Sequence, residues 1–246
     1  MKLLLVNPNM TQGMTDRMTE VARATAGPNV TIIPLTATRG FPYIASRAEA
    51  QIAGALVLEM IASHRQDVDA VIIAAFGDPG LVAARELFDL PIVGMAEAAV
   101  MTAALLGDRF SVVTFSPHMV RWYTDCVRLT GMDARFTGVR CPAVPPSSLD
   151  NIAADLRDDL VALAKDATSD GADVVILGGA PLAGLAPQIS DECPGILVDP
   201  IAAATVQALA LAQLNPSYRN RTAPPAAKAS TGLDAPLSAA IAGDTQ

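Results

Sequence analysis

A thirteen-residue stretch that occurs twice constrains this chain more than any other feature. Residues 69–81, DAVIIAAFGDPGL, resemble residues 173–185, DVVILGGAPLAGL. At one fixed offset Asp69 matches Asp173, Ala75 matches Gly179, Gly80 matches Gly184 and Leu81 matches Leu185. Each copy runs through a helical segment into a proline-containing turn and a short strand, Pro91-Ile-Val and Pro194-Gly-Ile-Leu-Val, and then into an Ala-rich helix. A second pairing lies upstream of each copy. Residues 4–10, LLVNPNM, resemble residues 113–119, VTFSPHM, which sets Pro8 against Pro117 and Asn9 against His118. Two pairings in the same order, at nearly one offset, point to duplication. The chain divides accordingly into a first half, 1–106, a second half, 107–213, and a C-terminal extension, 214–246.

Within each half, short apolar runs alternate with longer amphipathic segments, the pattern of a parallel sheet covered by helices. Strands are predicted over residues 2–6, 30–34, 70–74, 92–93, 110–114, 135–139, 174–177 and 196–198. Their β-branched and Leu-rich composition suits burial on both faces. Helices are predicted over 11–24, 46–64, 79–87, 96–106, 117–129, 149–167, 182–189 and 200–214, with Ser46 and Ser116 as N-caps. Residues 215–229 are polar and Pro-rich, and 234–242 read as one more short helix, in a tail that wraps its own body or a neighbouring subunit. The fold class is thus α/β, two pseudo-symmetric parallel-sheet halves with a small-molecule site in the cleft between them.

The net charge of −8 argues against nucleic acid or an anionic membrane surface as partner, since neither would meet a positive face. Cys126, Cys141 and Cys193 are widely spaced with no CxxC pair, so neither a disulfide framework nor a zinc site is expected. No His/Asp/Glu spacing makes a metal site, and the Gly-containing loops match no nucleotide fingerprint. The N-terminal apolar run ends at Asn7-Pro8, too short for a signal peptide, and no stretch suits a membrane span. A soluble, cytoplasmic protein is the expectation.

Parallel α/β sheets place ligands at the carboxyl ends of their strands, where loops meet helix N-termini. The repeat supplies four such loops, at residues 7–11, 75–80, 114–118 and 178–181. Their backbone amides favour a carboxylate or a ring carbonyl. The ordered segments Val6-Asn-Pro-Asn-Met, Gly40-Phe-Pro-Tyr-Ile-Ala-Ser, Ala75-Phe-Gly-Asp-Pro-Gly-Leu, Gly94-Met-Ala-Glu-Ala, Phe110-Ser-Val-Val-Thr and Leu177-Gly-Gly-Ala-Pro-Leu-Ala-Gly-Leu resemble the aspartate/glutamate/hydantoin racemase superfamily. The hydantoin and allantoin racemase branch fits best, and the resemblance extends to the terminal Gly232-Leu-Asp-Ala-Pro-Leu segment. It implies two pseudo-symmetric α/β halves around a cleft, no cofactor, a small-molecule substrate and a homo-oligomer.

The resemblance also implies two cysteines, one from each half, on opposite faces of the substrate: one thiolate removes the α-proton and the other thiol delivers one. Those positions are Ala75 and Gly179, and neither residue can carry a proton. General acid–base groups each contribute about 10²–10⁴-fold, so the two-thiol mechanism is rejected for this chain. The replacement acids and bases considered are His118, whose ordinary pKa suits proton transfer at neutral pH, Asp78, whose other reading is a helix N-cap, and Glu97, which otherwise orients loops. Asn9 is the leading binding residue, with a helix cap as its other role. Thr114 and Ser116 either donate to the same carboxylate or cap the next helix. Backbone amides of Phe76, Gly179 and Ala180 line the site whatever their side chains do. Tyr43 contributes its phenol, or forms an apolar wall with Phe41. The expected activity is proton transfer, ring opening or elimination on a small carboxylate, cyclic amide or ureide by non-cysteine groups. The alternative is an inactive ligand-binding or sensor homologue.

Overall fold

The computed structural model describes residues 1–146, 148, 151–218 and 225–243. Its first part runs β1 (Lys2–Asn7), α1 (Gln12–Ala26), β2 (Thr31–Thr36), α2 (Arg47–Ala62), β3 (Ala70–Ile73), α3 (Leu81–Leu87), β4 (Ile92–Gly94) and α4 (Met95–Leu106). The second continues with β5 (Phe110–Val113), α5 (Val120–Leu129), β6 (Phe136–Arg140), α6 (Ile152–Asp155), α7 (Arg157–Ser169), β7 (Val174–Leu177), α8 (Ala186–Ile189), β8 (Ile196–Val198) and α9 (Pro200–Leu214). A last helix, α10 (Ala235–Ile241), follows. Two four-stranded sheets form, ordered β2-β1-β3-β4 and β6-β5-β7-β8, with every neighbour parallel. The second order repeats the first strand for strand.

Alternation along the central strands explains how the sheets meet. Leu3, Leu5, Ala70 and Ile72 point to one face of the first sheet, and Leu4, Val6, Val71 and Ile73 to the other. In the second sheet Phe110, Val112, Val174 and Ile176 enter the same cluster as Leu3 and Leu5, whereas Val113, Val175 and Leu177 face away. One central core is therefore shared by both sheets, with a separate apolar layer outside each. The helices that end the two halves cross over. α9 packs across β3 and β4 of the first sheet, and α4 packs against β7 and β8 of the second. Gln207 on α9 fastens the two helices, its Nε2 donating to the Ala98 carbonyl at 2.9 Å and to Thr102 Oγ1 at 3.0 Å.

Strand register fixes the correspondence between halves. Leu3 pairs with Ala70 and Phe110 with Val174, so the match of Ala70 with Val174 carries Asn7 onto Thr114 and Asn9 onto Ser116. The sequence pairing of Pro8 with Pro117 and Asn9 with His118 is displaced from this register by two residues. Local bonding agrees with the register. Asn9 Oδ1 accepts from Thr11 N at 2.9 Å, and Ser116 Oγ accepts from His118 N at 3.4 Å, each bonding two residues ahead.

Ser46 caps α2 as expected, in a reciprocal box with Glu49. The predicted helices over 117–129, 149–167 and 182–189 are broken. The first opens as a 3-10 turn, Pro117–Met119, and the second divides into α6 and α7 at Leu156. The third is a 3-10 turn, Ala180–Leu182, then α8, with Gly184 at φ +83° between them. Residues 149–150 of the second lie outside the described residues, as do 219–224 of the polar tail segment. α10 lies on its own chain, with Leu237 and Ala240 buried in the outer layer beside Val57 and Ile61 of α2. Among the described residues, no helix is long and apolar enough to cross a membrane.

Candidate functional site

The β3 and β7 loops, which carry the repeat, meet at the junction of the sheets, and both are buried there: Ala75, Phe76, Ala180 and Leu182 are each at most 8% exposed. The Phe76 ring lies on Tyr123 of α5 with centroids 4.6 Å apart, Tyr123 on Trp122 at 5.9 Å, and Tyr43 on Phe115 at 5.8 Å. Five aromatic side chains thus converge, from a chain with only six Phe, three Tyr and one Trp. Tilted ring pairs of this kind add to the apolar burial that holds the halves together.

Gly179 sits among these rings with φ +128°, a conformation that side chains of L residues rarely adopt. A Cβ added there would stand 2.7 Å from Phe115 Cε1 and 3.6 Å from the Tyr123 hydroxyl. At position 179 both the backbone conformation and the Phe115 ring oppose a side chain. Ala75, in the equivalent loop, carries an ordinary Cβ at 8% exposure.

Polar groups at the strand ends are treated unequally. Asn7 is fully buried, and its amide nitrogen donates to Asn9 Oδ1 at 3.0 Å and Thr15 Oγ1 at 2.9 Å, while its Oδ1 accepts from Asn9 N at 3.2 Å. Its register partner Thr114 is equally buried, yet its Oγ1 has no hydrogen-bond partner among the described residues. The Tyr123 phenol is close enough to Thr114 to be influenced by it, without the alignment of a good bond. Burial raises the pKa of both Tyr123 and Tyr43 well above the ordinary phenol value, and the two phenols interact with each other.

The three acids and bases considered differ in their surroundings. His118 is exposed on the 3-10 turn after β5, outside the aromatic cluster. Glu97, on the first turn of α4, is held by Arg85 at 2.7 Å. Asp78 is half-buried, with φ +47°, and does cap a helix, but α4 rather than α3: Oδ1 accepts from Ala96 N and Oδ2 from Glu97 N, both at 2.8 Å. Burial pushes its carboxyl up to about 7 against the lowering effect of these two amides. Asn9 is 2% exposed, and its side-chain oxygen is taken up by Thr11 N and Asn7. Its bonds build the turn ahead of α1, whose N-cap is Thr11. Ser116 likewise caps the 3-10 turn, and Tyr43 Oη reaches Met119 Sδ at 3.8 Å.

Sequence reasoning passed over Tyr123, Phe115 and Trp122. Their signal was the clustering of three aromatics within nine residues of an aromatic-poor chain, with Met119, Trp122/Tyr123 and Cys126/Val127 at helical spacing. A groove of about 570 Å³ opens beside Trp122, lined also by Gly77, Asp78, Gln51 and Cys126. The exposed Arg47–Asp125 ion pair joins α2 to α5 at this groove. Burial pushes the Cys126 thiol up to about 12.

With this geometry in view, comparison with known proteins gives a consistent answer. A profile described as Asp/Glu/Hydantoin racemase matches residues 3–208. The chain belongs to that family. It is 31% identical to a hydantoin racemase of Paenarthrobacter aurescens over 83% of this chain and 88% of that protein. The structure of allantoin racemase from Klebsiella pneumoniae superposes with a TM-score of 0.89 at 31% identity, covering 96% of this chain and 98% of that one. Glutamate racemase from Bacillus anthracis shares the fold, with a TM-score of 0.59 at 17% identity over 91% of this chain and 85% of that one. This family member thus carries the hydantoin and allantoin branch architecture, with Ala75 and Gly179 where the resemblance implies thiols.

Proposed function

We propose that this family member acts on a small cyclic amide or ureide of the hydantoin type, or a related carboxylate, at the strand ends between its two sheets, without paired thiols. The observation that carries this reading is Gly179. Its positive φ, and the Phe115 ring 2.7 Å from any added Cβ, oppose a side chain there and so support a reading without the second thiol. The racemase relatives supply the substrate class, since the match spans most of both chains. Chemistry by non-cysteine groups, with no cofactor, is the leading form of the proposal.

A second reading, a ligand-binding homologue that does not turn its ligand over, is favoured by a separate observation. Asp78, Glu97 and His118 are respectively bonded to α4, paired with Arg85 and exposed on the surface. One experiment separates these readings. Single enantiomers of 5-substituted hydantoins, allantoin, aspartate and glutamate are incubated with the protein in deuterated water and followed by NMR and polarimetry, with binding measured by calorimetry. Saturable binding without racemisation or α-deuteration is expected. New product resonances from ring opening or elimination assign catalysis, and binding with no product assigns the second reading. Robust racemisation by the unmodified protein would overturn both.

We further propose a homo-oligomer, supported by exposed apolar side chains such as Val82 at 78% and Leu105 and Leu129 at 87%. Light scattering that returns only the monomer mass across a wide concentration range contradicts it.

A further inference from the structure

Two aspartates tie the strand-end loops to the helices that follow, and they differ in the bonding capacity left over. Asp199, buried after β8, accepts three backbone amides, from Gly184, Ile201 and Ala202. Asp78 accepts two, from Ala96 and Glu97, and has no ion-pair partner among the described residues. An ionised carboxylate offers about four acceptor sites, so Asp78 keeps room for two more donors. That capacity adjoins a cavity. Asp78 lines the groove of about 570 Å³ between α2, α5 and the β3 loop, a volume suited to a small ligand. The Cys126 thiol in the same lining is pushed up by burial and next by the Asp78 charge, which sets the carboxylate near the groove wall. The rest of the wall is neutral or self-paired. Arg47 and Asp125 pair with each other at the exposed edge, and the Trp122 indole lies against Gly77, where an added Cβ would stand 2.2 Å from Cζ2. One acid at the inner side of an otherwise balanced groove sets the charge of what fits there.

We propose that this groove binds a small organic cation, with an amidinium or guanidinium head on Asp78 and a flat apolar body beside Trp122. The forked N–H donors of such a head match the paired oxygens of a carboxylate, and a cation near an indole gains a further attraction. None of Ala75, Phe76, Thr114 and Gly179 lines the groove, so the site is separate from the strand-end cleft and does not rest on the proposed function. The chain nonetheless links the two. Asp78 lies three residues past Ala75 and caps α4, which packs on β7 and β8 of the other sheet. A bound cation holds Asp78 ionised and strengthens those two cap bonds.

Trp122 is the only tryptophan of the chain, so its fluorescence reads the groove directly. The full-length protein is titrated with benzamidine, benzamide and benzoate, three probes of one shape that carry a positive charge, none and a negative charge. Benzamidine is expected to change the emission saturably, with benzamide bound about tenfold more weakly and benzoate more weakly still. Equal affinity for benzamidine and benzamide, or no response to benzamidine, overturns the proposal. Asp78→Asn should weaken benzamidine about tenfold and leave benzamide unchanged. If that variant does not fold, Ala83→Phe decides, because residue 83 is exposed on α3 and lines the groove away from the bonds to α4. A ring there fills the space, and unchanged benzamidine affinity overturns the site. Affinity also follows pH with a fixed sign. The Asp78 carboxyl is raised to about 7 in the free protein and the cation favours its charged form, so benzamidine should bind about tenfold tighter at pH 8 than at pH 6. The charged or titratable groups around it are Glu97 on α4 and Arg85 on α3, which pair with each other, and Arg47, Asp125 and Cys126 along the groove. Neither histidine lines the groove. Affinity that stays flat or falls between these pH values overturns the assignment to Asp78.

Discussion

The Asp78 carboxylate occupies the volume that a side chain on Gly94 would need: a Cβ built on Gly94 falls 2.5 Å from Asp78 Oδ2. That arrangement lets both carboxylate oxygens receive the first amides of α4. In the second half, register sets Asp199 against Gly94, and the repeat sets Leu182 against Asp78. There the carboxylate stands on the strand end instead, accepting from Ile201 N at 2.9 Å and Ala202 N at 3.1 Å, and reaching the β7 loop through Gly184 N at 2.6 Å. The same junction, loop to helix start, is tied by one aspartate in each half, supplied from opposite sides.

This exchange predicts a compensating pair of substitutions. Gly94→Asp alone is expected to destabilise by about 2 kcal/mol or more, because it overpacks the loop and sets two carboxylates together. Adding Asp78→Gly, which suits the positive φ at that position, removes the clash and leaves one carboxylate to cap α4. The two changes should couple favourably by about 1–3 kcal/mol in a double-mutant cycle from urea unfolding. Simple additivity of the two losses would contradict the exchange.

Asp78 also sets a pH dependence whose sign is fixed. Its folded pKa, about 7, is raised above the ordinary carboxylate value of 3.8, chiefly by burial. Below about pH 4 both folded and unfolded chains hold the proton. As pH rises from about 4 to 7 the unfolded chain releases it first, so this group's contribution to stability falls across that window and levels off above it. Asn at this position does not titrate. The stability of the wild type minus that of Asp78→Asn should therefore decline between pH 4.5 and 7 and stay flat from 7.5 to 8.5. A difference that rises over the lower window would refute the assignment.

Reinstating the implied thiols should be asymmetric. Ala75→Cys extends a side chain from a position that already carries a Cβ. Gly179→Cys forces a side chain onto φ +128° and into Phe115, so a loss of about 3 kcal/mol or more is expected from strain and overpacking together. Truncating the ring, as Phe115→Ala with Gly179→Cys, should restore part of that loss despite its own cavity. Calorimetric melting of the single and double variants reads this directly, and a Gly179→Cys protein as stable as the wild type would show that Phe115 is not the obstacle.

The duplicated sheets were legible in the sequence because strands buried on both faces leave uninterrupted apolar runs, and residues 69–81 and 173–185 kept both those runs and their glycines. Ala75 and Gly179 each stand two residues past strands of equal length, Ala70–Ile73 and Val174–Leu177, in keeping with that match. The upstream match slipped by two residues because Pro8 and Pro117 align by letter, whereas the ladder aligns Asn7 with Thr114. The site itself was less readable. A cap and a ligand contact look alike in sequence, and Asp78 showed itself a cap of α4 only by its bonds to Ala96 and Glu97. Tyr123 escaped because its place beside Phe76 depends on α5 crossing to the other half, a ring contact 47 residues away in the chain that no local pattern encodes.

The crossover of α4 and α9 gives a last prediction, about folding. Residues 1–106 hold a complete four-stranded sheet, but the face of β3 and β4 that carries Ile72 and Val93 is covered by α9, from the far end of the other half. Without α9 that face is bare, and α4 loses β7 and β8, on which it packs. Burial of such side chains contributes about 1.5–3 kcal/mol each, which is large against the net stability of a small domain. A fragment of residues 1–106 should therefore lack a cooperative thermal transition and bind hydrophobic dyes. Mixed with residues 107–246 it should recover a single transition, because only together do the fragments close the shared core. A sharp, independent transition in the isolated 1–106 fragment would mean that the crossover helices are dispensable and that the halves are separable folding units.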